Sequence, residues 1–213
     1  MATIYLIRHS APFVEIENYQ DYKNVSWAEY NKNMILSGVG EENAKKLSDV
    51  EEFQRVDEIY ASNSFRAIGT AKYIAEKNNI KIKLDPRINE REFGVNRISD
   101  LPDDFTKLSF DDKSFKVNNG ESLNEVDERF NSFINFILSK NNKKTIVVLH
   151  GIILLSFLKS ICSTFDFDGR NFDIKFNDKV ILNGTPKNPE IYKIEYNEDK
   201  NVINIVNVKT TNK

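Results

Sequence analysis

The sequence predicts an α/β fold: a three-layer sandwich, with a mostly parallel sheet flanked by helices on both faces and a C-terminal antiparallel hairpin. Three observations predict it. Residues 2–8, 56–61 and 145–149 are short apolar, β-branched runs of the kind that form buried parallel strands. Segments with apolar residues at helical spacing alternate with them, which is the pattern of a sheet covered by helices. Near the end, residues 190–196 and 202–208 alternate around the polar stretch Asn197 to Asn201, as a hairpin does. No internal repeat or linker interrupts the 213 residues, so the expectation is one domain over 1–213 with insertions near 11–34 and 95–119.

The elements follow in order. After the first strand, residues 11–34 carry acidic and aromatic side chains without a strand period. They read as a long loop with one short helix, part of a lid over the first strand's end. Ser37 suits an N-cap for a helix containing Glu41, Glu42, Ala44, Lys45 and Leu47. The second strand, 56–61, ends in the polar turn Ser62-Asn63-Ser64. Ala67, Thr70, Ala71 and Ile74 then form a helical stripe. Residues 80–84 alternate as a half-exposed strand, stopped by Asp85-Pro86. Residues 95–119 are polar and irregular. Ser122 and Glu125 have the spacing of a capping box, ahead of Val126, Phe130, Phe133, Ile134 and Ile137. The strand at 145–149 leads into a helix from Gly151 to about Ser163. The tail from Lys209 to Lys213 is polar and reads as frayed.

Composition narrows the function. A net charge of −2 gives no basic surface for nucleic acid. The longest apolar run, Ile146 to Leu158, is too short to span a bilayer. Cys162 is the only cysteine, so no intrachain disulfide forms, and it reads as a buried small residue rather than a nucleophile. Two distant histidines and no CxxC pattern give no metal site. The chain opens directly on a strand pattern with no leader, so a cytoplasmic setting is expected. No cofactor is implied, and neither nucleic acid nor membrane is an expected partner.

The histidines carry the chemistry. Only two occur, and both close a predicted buried strand: His9 after Arg8, and His150 before Gly151. Ligands of open parallel sheets bind outside the strands' carboxyl ends. That edge also receives Ser62, Asn63 and Arg66, the last in the first turn of a helix. Arginine forks and helix N-termini bind phosphate, and an imidazole between them can attack phosphorus.

The motif Leu6-Ile7-Arg8-His9 resembles the signature of the histidine phosphatase superfamily, the phosphoglycerate-mutase-like proteins. Four further segments agree, in the family's order. They are Leu36-Ser37-x-x-Gly40 with Ala44; Ala61-Ser62-Asn63-Ser64-Phe65-Arg66-Ala67-x-x-Thr70-Ala71; Ile88-Asn89-Glu90-Arg91-Glu92-Phe93-Gly94; and Gly120-Glu121-Ser122 with Val148-Leu149-His150-Gly151. The resemblance implies that His9 is the phosphoacceptor and that Arg8, Arg66 and His150 hold the phosphoryl oxygens. It makes Glu90 the general acid and then base, with Glu92 the nearby competitor. Asn63 or Ser62 either bonds phosphate or caps the helix. Ser10 stands where most members have Gly, and Ala11-Pro12 replaces a frequent Glu.

The segment after Gly94 is short and acid-rich, without the paired arginines of the mutases, although Arg91 matches one of their substrate-binding positions. The expected activity is therefore a metal-independent phosphomonoesterase working through a phosphohistidine on a small metabolite. Phosphoglycerate mutase is the first alternative and a catalytically silent phosphate-binding module the second. Phe13, Tyr19, Tyr22 and Trp27 of the lid either stack on a substrate or pack on the body of the domain.

Overall fold

The computed structural model of the chain describes residues 1–14, 25–140 and 142–208. Tyr19, Tyr22 and the tail from Lys209 to Lys213 lie outside the described residues. Six strands form the main sheet: β1 (Ala2–Arg8), β2 (Glu58–Ala61), β3 (Ile82–Leu84), β4 (Lys144–Leu149), β8 (Glu190–Tyr196) and β9 (Val202–Asn207). Their order is β3-β2-β4-β1-β8-β9. Pairing is parallel from β3 through β1, while β8 runs antiparallel to β1, with Arg8 opposite Glu190, and β9 antiparallel to β8. The expected hairpin is thus present, and it extends the main sheet beside the strand that carries Arg8.

Period-two alternation in β1 divides the core. Ile4 and Leu6, with Val147 and Leu149 of β4, face α5 (Leu123–Leu138) and α6 (Gly151–Ile161). Tyr5 and Ile7, with Ile146 and Val148, join Leu47 of α2 (Gly38–Leu47) and Ala67, Ala71 and Ile74 of α3 (Phe65–Asn78). Helices therefore cover both faces, as the sequence predicts. Both N-caps are present. Ser37 Oγ accepts from Gly40 N at 3.0 Å. Ser122 and Glu125 exchange side-chain-to-backbone bonds at 3.2 and 2.7 Å, each cap being worth about 1 kcal/mol.

Three elements differ from expectation. The strand at 80–84 shortens to β3, which pairs with β2 over three residues. Residues 95–119 are not irregular throughout: α4 (Phe105–Asp111) buries Phe105, Ser109 and Phe110. The aromatic spacing of α4 outweighs the polar residues around it. A second sheet, β5 (Thr164–Phe167), β6 (Phe172–Phe176) and β7 (Lys179–Gly184), is antiparallel in the order β5-β6-β7. Phe165, Phe167 and Phe172 of this sheet close on Phe110, with ring centroids 5.2 to 5.8 Å away. Within the 11–34 insertion, α1 (Trp27–Asn33) is the short helix expected there. Its C-terminal end meets α3 through Arg66 N donating to Met34 O at 3.1 Å.

Candidate active site

The carboxyl ends of β1, β2 and β4 bring together Arg8, His9, Ser62, Arg66 and His150. All but Arg8 are buried, and His150 is fully so. The turn after His9 is held from three sides. Ser10 N donates to Thr70 Oγ1 at 2.9 Å, Ser10 Oγ donates to Gly40 O at 2.8 Å, and Ser37 N donates to Ala11 O at 3.1 Å. Gly40 is required by contact: a Cβ there would lie 2.0 Å from Ala11 O. The hydroxyl of Ser10, where most relatives have glycine, is therefore absorbed by the start of α2.

Hydrogen-bond chemistry fixes the two tautomers. A carbonyl only accepts, so His9 Nδ1 carries the proton that bonds Ser10 O at 2.8 Å. His9 Nε2 is then a lone pair, and it accepts from Arg66 Nε at 3.1 Å. A guanidinium only donates, so His150 Nδ1 accepts from Arg66 Nη2 at 2.9 Å, and His150 Nε2–H donates to Ser62 Oγ at 2.6 Å. The rings sit 5.1 Å apart with opposite tautomers. Burial is the first reason both stay neutral, and the charge of Arg66 the second. His9 is pushed down to about 3, and His150 well below the usual imidazole range.

Arg66 is 3 % exposed and crosses both rings. Its outer edge is taken by Asn31 of α1: Nη2 donates to Asn31 Oδ1 at 3.0 Å, and Nη1 donates to Asn31 O. Burial pulls Arg66 down to about 10, so the guanidinium stays charged. Arg8 Nη1 donates to Pro186 O and Lys187 O at 3.1 and 3.3 Å. The same loop sends Asn188 Nδ2 to His9 O at 2.9 Å, and Glu190 anchors the loop by accepting from Lys187 N at 2.6 Å. Arg8 Nε is buried with no hydrogen-bond partner among the described residues.

The acidic loop supplies Glu90. Its Oε2 accepts from Ile152 N at 3.3 Å and its Oε1 from Ile153 N at 3.4 Å, in the first turn of α6. Its charge favours the cationic forms of Arg8 and Arg66, and its anchor in the first turn of α6 lies just after His150. Glu92 lines the same cleft as Glu90 but is held differently: its backbone pairs with Glu121, and burial followed by the charge of Glu121 raises its carboxyl. Arg129 braces the loop with a fork to Glu121 at 2.7 and 2.9 Å and bonds to the carbonyls of Arg87 and Asn89. Gly94 has φ +75°, and a Cβ there would strike Val117 O at 2.1 Å, so the loop returns tightly against Gly120.

The weaker site expectations divide. Arg91 is 2 % exposed, and its guanidinium is committed to Glu121 O, Ser109 Oγ and Phe115 O. These bonds dock α4 and the 115–121 segment, while Arg91 also contributes to the wall of the cleft that holds Glu90 and Glu92. Trp27 lines a cleft of about 550 Å³ with Asn31, Lys32, Ser64, Asn89, Glu90 and Glu92, and its ring stacks on Phe93. Phe13 lines a different, apolar groove with Tyr30, Met34 and Ile35. Ser62 is the partner of His150, while Ser64 takes the N-cap position of α3. Asn63 N donates to Asn89 Oδ1 at 2.9 Å, tying the second signature to the acidic loop. Its own Oδ1 is buried without a partner. Sequence reasoning missed Asn31 and Asn188. An asparagine in an asparagine-rich chain carries no signal of its own, although the Asn188-Pro189 dipeptide just before a strand marks a turn.

Three kinds of likeness accompany this geometry. The sequence matches the model of one family, the histidine phosphatase superfamily (branch 1), over residues 4–208. It is 28% identical over 121 residues to phosphoserine phosphatase 1 of Hydrogenobacter thermophilus, a stretch covering 54% of this chain and only 57% of that protein. Among solved structures, mycobacterial hydrolase 1 superposes with a TM-score of 0.70 at 14% identity, covering 98% of this chain and 99% of the other. The mycobacterial glucosyl-3-phosphoglycerate phosphatase in complex with VO3 gives 0.68 at 15% identity, covering 97% of each chain. At such identities the structural likeness is one of fold.

Proposed function

This chain belongs to the histidine phosphatase superfamily, branch 1, and from that premise we propose that it is a phosphomonoesterase that cleaves a small phosphorylated metabolite through a phosphohistidine on His9. The carrying observation is the state of the His9 ring. Nδ1–H is held on Ser10 O, so the Nε2 lone pair faces the cationic cluster.

In the first step Nε2 attacks phosphorus. The Nε2–P bond forms, the bond from phosphorus to the ester oxygen breaks, and Glu90 gives that oxygen its proton. In the second step Glu90 takes a proton from water, the water oxygen bonds phosphorus, and the Nε2–P bond breaks to release inorganic phosphate. Arg66, Arg8 and the two rings surround the space where charge develops, and the otherwise unmatched donor Arg8 Nε is available to a phosphoryl oxygen. Asn63 can join them, since a half-turn of its amide presents Nδ2 in place of Oδ1. The cycle needs no metal. Among the described residues no group of three or more His, Cys, Asp or Glu side chains is placed to hold one.

Two features support a small substrate. The cleft beside Glu90 has the volume of an ordinary metabolite pocket. Its walls carry Glu29 and Glu92 beside Lys32 and Arg91, a mixed lining rather than the run of cations that a second phosphate would favour. Hydrolysis is favoured over the mutase alternative because Arg91, the one residue matched to the mutases, spends its guanidinium on bonds within the fold. No helix among the described residues is long and apolar enough to cross a membrane.

The test is hydrolysis of p-nitrophenyl phosphate in EDTA by the wild type and His9→Ala, with the mass of the acid-unquenched protein read during turnover. Activity and a transient phosphoryl adduct that both vanish in His9→Ala support the proposal. Turnover that persists in His9→Ala overturns it.

A further inference from the structure

Arg66 draws its hydrogen-bond partners from three separate elements. His9 stands at the end of β1 and His150 at the end of β4, both in the sheet. Asn31 belongs to α1, inside the 11–34 insertion and outside every motif that marks the family resemblance. It presents two acceptors, its main-chain oxygen to Nη1 and its side-chain oxygen to Nη2. The other hydrogen-bond acceptors recorded for the guanidinium are the two imidazole nitrogens. Those nitrogens are ring atoms of groups that must themselves meet the phosphoryl group. They cannot serve as fixed anchors for the fork while doing so.

We propose that Asn31 is a positioning residue that sets the plane of the Arg66 guanidinium, so that the insertion, rather than the sheet alone, determines how well the phosphoryl group is held. The proposal rests on the phosphatase reading above. A planar guanidinium has no internal means of choosing its orientation around the bond to its chain. In a buried site the orientation goes to whichever acceptors are rigid. Asn31 is tied to its target, because the end of α1 is joined to the start of α3 by Arg66 N donating to Met34 O. The residue that is oriented and the residue that orients it are thus joined twice, through backbone and side chain. Asn31 also lines the cleft beside Glu90, so the helix that holds the fork forms part of that cleft's wall.

Asn31→Ala removes the side-chain acceptor and keeps the main-chain one. The expected result is a loss of about tenfold or more in kcat/KM for p-nitrophenyl phosphate, the scale of a hydrogen bond to a charged group. Inhibition by inorganic phosphate weakens in proportion, and Tm stays near the wild-type value. Asn31→Asp keeps an oxygen at the same reach and recovers most of the loss. The decisive arm is a double-mutant cycle with Arg66→Lys, which lacks the fork. There Asn31→Ala costs no more than about twofold, because the residue it acts through is gone. A full loss in the Arg66→Lys background overturns the proposal, as does wild-type activity in Asn31→Ala or failure of Asn31→Asp to recover it. If the wild type proves inactive on phosphate esters, the phosphatase reading falls separately. Inorganic phosphate binding by wild type and Asn31→Ala then tests the positioning role: weaker binding in the variant supports it, and equal binding overturns it.

Discussion

Acidification toward pH 5 should destabilise this protein through His9. In the folded chain His9 is 6 % exposed and its pKa falls from 6.5 to about 3, first by burial and second by the charge of Arg66. In the unfolded chain it titrates near 6.5. Between those values the unfolded state binds a proton that the folded state refuses, so stability is full above the unfolded value and is lost as pH falls. From pH 7.5 to pH 5 the loss attributable to His9 is about 2 kcal/mol, at about 1.4 kcal/mol for each pH unit below 6.5. His150 is shifted in the same direction and adds to it. The window stays above the ordinary range of Asp and Glu, where Glu58, pulled down to about 2 by its lysine and tyrosine partners, would otherwise contribute. Urea unfolding at pH 7.5, 6 and 5 for wild type and His9→Gln measures the effect. The wild type should lose about 2 kcal/mol more than the variant across that range. Parallel losses in the two proteins would mean that His9 takes up a proton in the folded state, which would refute the claim that burial and Arg66 keep its Nε2 unprotonated.

Two further outcomes follow from the geometry. Glu90→Gln should lower kcat on an alkyl phosphate by about 10²-fold or more, and less on p-nitrophenyl phosphate, whose leaving group needs little protonation. Glu92→Gln should stay within about threefold on both, and steady-state rates with the two esters decide between the carboxylates. Gly40→Ala forces a methyl against Ala11 O at 2.0 Å. It should cost about 2 kcal/mol or more in urea unfolding and reduce activity, because the strained turn is the one that aims His9.

Much of the site was legible because chemistry-bearing residues lie at the ends of strands. Runs such as Thr145 to Leu149 announce themselves by β-branching, and the residue that follows inherits a position at the sheet edge. His9, His150, Ser62 and Arg66 were found in that way, and the helices were legible through their caps at Ser37 and Ser122. What escaped depends on contacts between segments far apart in sequence. Arg91 matches a binding position by motif, but its direction is set by Ser109, Phe115 and Glu121. No local pattern encodes those partners. The small sheet was missed although Phe165-Asp166-Phe167 and Phe172-Asp173-Ile174-Lys175-Phe176 alternate cleanly, because each run is short and half polar, and the ring it packs on, Phe110, lies far earlier in the chain.

The place of β1 in the sheet has a consequence for how the protein comes to be active. Its two neighbours are β4 and β8, and Arg8 is bonded to carbonyls at Pro186 and Lys187. This strand is therefore completed by strands that follow it in the chain by more than a hundred residues. Such distant pairings are slow to form. A nascent chain that has emerged only as far as α6 carries both histidines, both arginines and Glu90, yet lacks the carbonyls that hold Arg8 and the Asn188 amide that holds His9. Catalytic competence should consequently appear in one late step, when β8 docks, and a refolding experiment should recover phosphate binding together with the final tertiary signal rather than with the early helices.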